Sequence, residues 1–169
     1  MEHKEAVYVS AKYHDIRLNS TMMRKKIVDL LSLLFVNTYI LSLKTFNYHW
    51  NIKGTLFDML HEAADEQYDD FVCAITEIAD RIRELGYEIP NTYAQVGRLS
   101  ELETEDFNIS SILTDLIRRN ERIVQQVRKG IMYAAEAKDY LTFKLLMKRL
   151  KKHEENSRRF RSILNRDNV

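Results

Sequence analysis

Among the residues able to do chemistry, one set has a geometry that can be read directly. His61, Asp65, Asp69, Thr76 and Asp80 fall on one stripe of a helix turning about 100° per residue, two of them as an i, i+4 His/Asp pair. Imidazole and carboxylate together are metal-ligand chemistry. At about 1.5 Å rise per residue, His61 and Asp80 stand roughly 28 Å apart along the axis, too far to share an ion within one chain. If the helix packs antiparallel against its own copy about a twofold axis near residues 70 and 71, His61 and Asp65 of one subunit meet Thr76 and Asp80 of the other. Two equivalent sites per dimer follow. Glu77 lies about 100° from Thr76 and is a poor substitute there, whereas Asp69 sits within the stripe and can add a carboxylate.

The helix that carries the stripe has an apolar face of its own. Phe57, Leu60, Ala64, Tyr68, Phe71, Ile75, Ile78, Ile82 and Leu85 recur at spacings of three and four, about 115° around from the polar stripe. The ligand-type residues therefore point away from the bundle core. Gly86 supplies a stop and Pro90 follows. The first helix is expected from about Ser20 to Trp50, the second to about Leu85, the third from about Asp106 to Glu136 and the fourth from about Tyr140 to Leu164. A short helix near Thr92 to Val96 is expected between the second and third. Residues 1–19 read as an N-terminal tail of mixed charge.

Composition agrees with this organisation. A chain of 169 residues with 45% hydrophobic content can bury one sizeable core, and four Gly with one Pro suit long helices rather than strands and turns. The fold class is all-α in a single domain. The Leu30 to Leu43 stretch is uncharged but shorter than the roughly 18 residues that span a bilayer, so it is expected to be buried in protein on more than one side. Cys73 is the single cysteine, the first residues are not a secretory signal, and a reducing cytoplasm fits. The net charge of +1 conceals a basic C-terminal stretch over residues 148–169, but as a total it implies neither a nucleic-acid nor a membrane partner. No nucleophile constellation and no phosphate-binding loop is present, which disfavours hydrolase and nucleotide chemistry.

The string Asn47-Tyr48-His49-Trp50-Asn51-Ile52-Lys53-Gly54, with Phe57, Leu60-His61-Glu62, Asp65, Tyr68, Ile78-Ala79-Asp80-Arg81 and Leu85-Gly86, resembles the signature of the Dps family. That resemblance implies a ferritin-like four-helix bundle assembled as a dodecameric shell, with an iron-oxidising centre at each end of the twofold dimer interface. One subunit of that family supplies two His and an Asp, matching His49, His61 and Asp65. The facing subunit usually supplies Asp and Glu, where this chain has Thr76 and Asp80. The loss of one anion and the shorter reach of Asp80 predict a weakened, remodelled or lost site.

The resemblance also implies Fe(II) as substrate, hydrogen peroxide as oxidant and protection against oxidative stress, in a cytoplasmic or nucleoid-associated protein. It gives Trp50, otherwise a packing residue, a second role as electron donor, and it places Glu136 and Asp139, otherwise polar residues at helix ends, beside an acidic pore. Cys73 is expected to be packed. A DNA-packaging shell or a structural shell with a decayed metal site is the alternative. DNA binding is expected to be weak or absent, because Lys4, Lys12 and Arg17 are offset by Glu2, Glu5 and Asp15.

Overall fold

The computed structural model describes residues 2–51, 57–90 and 108–167, the side chains of residues 2–20, 57, 60, 166 and 167 excepted. Four helices make up the described chain: α1 (Glu2–Asn51), α2 (Phe57–Glu84), α3 (Ile109–Glu136) and α4 (Tyr140–Asp167). They form a four-helix bundle, and no strand occurs among the described residues. The expected short helix at Thr92 to Val96 lies outside them. The expected start of α1 near Ser20 is corrected: the helix begins at Glu2, so residues 2–20 are helical. Residues 2–20 contain neither Gly nor Pro, so nothing in their local chemistry breaks a helix.

The core is built from the apolar stripes. Ile27, Leu31, Leu34, Leu41 and Tyr48 of α1 meet Phe71, Ile78 and Ile82 of α2, with Leu116, Ile123, Leu146 and Phe160 from the other two helices. The α1 segment Thr21–Asn51 is long and apolar enough to cross a membrane by composition, with a mean hydropathy of 1.6, yet half of the qualifying window is buried in the bundle. Its hydroxyls are satisfied locally, Thr38 donating to the Leu34 carbonyl and Thr45 to that of Leu41, each at 2.8 Å.

Through the core runs a polar layer that apolar periodicity does not reveal. Thr45 Oγ1 lies 3.2 Å from Gln67 Oε1, sharing the proton it gives Leu41, Gln67 donates to Asn120 Oδ1 at 3.4 Å, and the same oxygen lies 2.9 Å from His153 Nδ1. Each helix contributes one member. A turn from His153, the fully buried Arg149 donates to both oxygens of Asp70, at 2.8 and 2.9 Å. His153, stacked on Phe71, is pushed down to about 3 by burial and, secondarily, by the Arg149 charge against a smaller opposing pull from Asp70.

The helix ends are specified by capping. Gly86, at φ +87°, closes α2 in a Schellman arrangement, with Tyr87 N–H donating to the Ile82 carbonyl at 3.2 Å and Gly86 N–H to that of Arg83 at 2.9 Å. The same pattern closes α3, with Asp139 N–H on the Ala134 carbonyl at 2.9 Å and Lys138 N–H on that of Ala135 at 3.1 Å, but here the left-handed residue is Lys138, at φ 55°. Asp139 then caps α4 by accepting from Thr142 N–H at 3.0 Å and Thr142 Oγ1 at 2.6 Å, while Arg81 donates to it at 2.8 Å. Its carboxyl is held below the usual range because, although burial pushes upward, the bonds from Thr142 and Arg81 outweigh it.

Lys138→Gly should raise stability by about 1 kcal/mol by relieving the left-handed strain, read from the urea midpoint at unchanged slope. His153 sets a pH dependence. The unfolded chain takes up a proton near 6.5 that the folded chain refuses until about 3, so stability present above pH 6.5 declines as pH falls through that window. Thermal unfolding from pH 7.5 to 4 should show a shallower decline for His153→Gln than for the native chain.

Candidate metal centre

The last turn of α1 and the first turns of α2 bring three ligand-type side chains to one point. His49, His61 and Asp65 each offer a ligand atom, and these atoms lie within 4.8 Å of one another. The Asp65 carboxylate faces both rings, Oδ1 at 3.0 Å from His49 Nδ1 and Oδ2 at 3.6 Å from His61 Nδ1. The imidazole centroids are 3.8 Å apart. His49 Nδ1 is buried, and despite its closeness to Asp65 it makes no hydrogen bond of acceptable geometry, which suits a nitrogen directed at an ion between the side chains. Side-chain exposure rises from 18% at His49 to 36% at His61 and 59% at Asp65, so the cluster is rooted in the bundle and open outward. Two imidazole nitrogens and one carboxylate oxygen can hold a divalent ion and leave coordination positions free.

The backbone that carries His49 is braced by a neighbouring clamp. Tyr48, adjacent to His49, donates to Asp115 Oδ2 at 2.9 Å, and Lys44, Arg118 and Arg119 bond the same carboxylate at 3.3, 2.8 and 2.8 Å. Burial alone would raise the Asp115 carboxyl; the hydrogen bonds from Arg118 and Arg119, with the Arg119 charge and Tyr48, overcome this and hold it at about 2. Sequence reasoning missed this clamp. The available signal was Lys44, a charge immediately after the uncharged stretch of α1.

Thr76 and Asp80 are not brought to the cluster within one chain. Both are exposed on α2, as is Asp69, and Thr76 Oγ1 donates to the Val72 carbonyl at 3.2 Å. Glu77 is paired with Lys148, which agrees with its exclusion as a substitute ligand. Two packing expectations are corrected for the single chain. Cys73 is exposed, and Trp50 is 71% exposed although its ring lies 5.1 Å from that of Phe46. Val72, within the polar stripe, and Cys73, just beyond its edge, are both exposed, so the face on which the ligand-type residues lie is exposed along its length. Asp139 is engaged as a cap and ion-pair partner, which assigns it a structural role ahead of the expected pore-lining one; Glu136 is exposed.

Comparison with known proteins places this arrangement. The family model described as "Ferritin-like domain" matches residues 28–168. The chain is thus a ferritin-like protein. "DNA protection during starvation protein 2" of Bacillus anthracis is 28% identical over 149 residues, covering 85% of this chain and 99% of that protein. The structure of Dps from Thermosynechococcus elongatus superposes with a TM-score of 0.82 at 21% identity, covering 86% of this chain and 94% of that one. The Vibrio cholerae O1 Dps, described as a member of a broad superfamily of ferritin-like diiron-carboxylate proteins, superposes at 0.79 with 25% identity, covering 85% and 92%. The chain belongs to the Dps family. In general terms that family stores iron and protects against oxidation.

Trp50 is the single tryptophan and follows His49 directly, so it reports on the cluster. Anaerobic titration with Co(II) should quench its fluorescence to a saturating end point, and His61→Ala should abolish the saturable phase.

Proposed function

We propose that the chain is a ferroxidase subunit of a dodecameric iron-storage shell. Fe(II) is bound between His49, His61 and Asp65 of one subunit and Asp80 of a twofold-related partner, with Thr76 where an anion is usual and Asp69 available as a further carboxylate. Each Fe(II) gives up one electron, and two together reduce hydrogen peroxide, whose O–O bond breaks to leave two hydroxide equivalents. Removing peroxide in a two-electron reaction avoids hydroxyl radical and accounts for a role in oxidative protection. The product collects as ferric mineral within the shell, and a cytoplasmic location suits the single unpaired cysteine.

The observation that carries this reading is the convergence of His49, His61 and Asp65 at one end of an exposed helical face whose other end bears Asp80. An antiparallel copy would bring the two ends together and complete the ligand set. Thr76 is neutral, so the two carboxylates of Asp65 and Asp80 balance one divalent ion but not two. Oxidation is therefore expected to be slow, with one strong iron per site. The same neutrality favours, as a second reading, a shell whose ferroxidase centre has decayed.

A mutant cycle across the interface separates these readings. Thr76→Asp should strengthen metal binding by about 1–3 kcal/mol, an added anionic ligand in a partly desolvated site. Calorimetry and stopped-flow oxidation on the native protein, Thr76→Asp, His61→Ala and the double mutant should show iron binding lost in His61→Ala and the gain from Thr76→Asp vanishing with it. Unchanged binding and oxidation in His61→Ala would overturn this reading and leave a shell whose function lies elsewhere.

A further inference from the structure

α4 is rich in Lys and Arg, whereas α2 is rich in Asp and Glu. Most of the α4 cations are solvated or paired singly, but one place gathers several of them around a cavity. Between α3 and α4 lies a groove of about 410 Å³ lined by Glu121, Arg128, Glu154, Ser157, Arg158 and Arg161, with Val124 as its apolar contact. We propose that this groove binds a phosphate dianion, a site separate from the metal centre and independent of how that centre works.

Three observations carry the assignment. Ser157 is 4% exposed, and its buried hydroxyl has no hydrogen-bond partner, an unsatisfied group on the wall of the groove. Its position on α4 continues a line from Arg149 and His153, at four-residue intervals, whose Nε and Nε2 atoms are likewise buried without partners. The polar interior of α4 thus reaches the groove at Ser157.

The second observation is the charge balance of the rim. Arg161 pairs with Glu121, and Arg128 with Glu154 at 2.8 Å. These are exposed pairs of the kind that contribute little and rearrange readily. Arg158 is different. Its Nε donates to the Glu154 backbone carbonyl at 3.3 Å, and among the described residues no carboxylate pairs with its guanidinium. The groove therefore carries one uncompensated positive charge beside two arginines whose partners are exposed.

The third is the match between donor chemistry and ligand. The lining holds a hydroxyl and guanidinium forks, the donor types from which a tetrahedral oxyanion accepts. A dianion also competes with the two rim glutamates for their arginines, which a monocarboxylate cannot do with advantage. A nucleic-acid backbone fits less well, because a polyanion is repelled by the rim carboxylates of Glu121 and Glu154. The volume admits inorganic phosphate with retained water or a small phosphate monoester.

The test uses the assembled, iron-free protein and inorganic phosphate, at ionic strength held constant with chloride, followed by calorimetry. Saturable binding of one phosphate per chain is expected. Arg158→Ala should weaken it about tenfold or more and Ser157→Ala several-fold, with Arg158→Lys falling between native and Arg158→Ala. Unchanged circular dichroism and melting would show that the variants fold, and unchanged Co(II) quenching of Trp50 would show that the metal centre is not what was altered. Non-saturable uptake, or binding indifferent to Arg158→Ala, overturns the proposal. So does Arg158-dependent binding of a single-stranded oligonucleotide without binding of inorganic phosphate.

Discussion

Arg149 is a guanidinium withdrawn from water, and the placement of α2 follows from how that charge is met. Burying an unpaired cation would cost several kcal/mol, and the two-pronged contact with Asp70 offsets it. Asp70 must then face α4. With that rotation, Phe71, Ile78 and Ile82 fall into the core, while Asp65, Asp69, Thr76 and Asp80 turn to the outside. The layer of Thr45, Gln67, Asn120 and His153 adds an axial constraint, since hydrogen bonds between helices are satisfied in one register whereas apolar contacts tolerate sliding. The outward stripe on α2 is thus a consequence of polar contacts on its inward side.

The metal cluster depends on a second constraint at the end of α1. Tyr48 is buried and tied to Asp115, which Lys44 and Arg119 hold from two helices. His49 follows directly in the chain and inherits a fixed backbone position. Asp65, by contrast, is more than half exposed on α2 and free of any comparable brace. One ligand is anchored and another faces outward, which is how a half-site open to a second subunit would be built. Precise positioning of the anchored side limits the rearrangement needed when the other half arrives.

Much of this architecture was legible in the sequence, and the omissions have physical causes. The stop at Gly86 was visible because a left-handed residue after a helix favours glycine, whereas Lys138 performs the same geometry without the signal. The α2 stripes were visible because period 3.6 separates apolar from polar residues when helices pack on one face. The same rule hid His153 and Arg149, which lie in a highly charged stretch with Lys151, Lys152, Glu154 and Glu155. The start of α1 was misplaced because a charge-balanced segment without Gly or Pro carries no punctuation. Trp50 and Cys73 were read as packed from residue type, yet within one chain both are exposed. Residue type alone does not distinguish a surface within the bundle from one kept for another subunit.

The charges of α2 divide into two flanks, and α4 neutralises one of them. Glu62 and Glu66 meet Arg159, Asp70 meets Arg149 and Glu77 meets Lys148, all along one side of the helix. The adjoining strip keeps Asp65, Asp69 and Asp80 exposed beside His61, with no basic residue of α4 among their ion-pair partners. The local excess of negative charge therefore falls along the His61-to-Asp80 stripe rather than over the helix as a whole. The contacts that dock α2 onto α4 are the same ones that leave a cation-attracting face where the ligand-type residues stand.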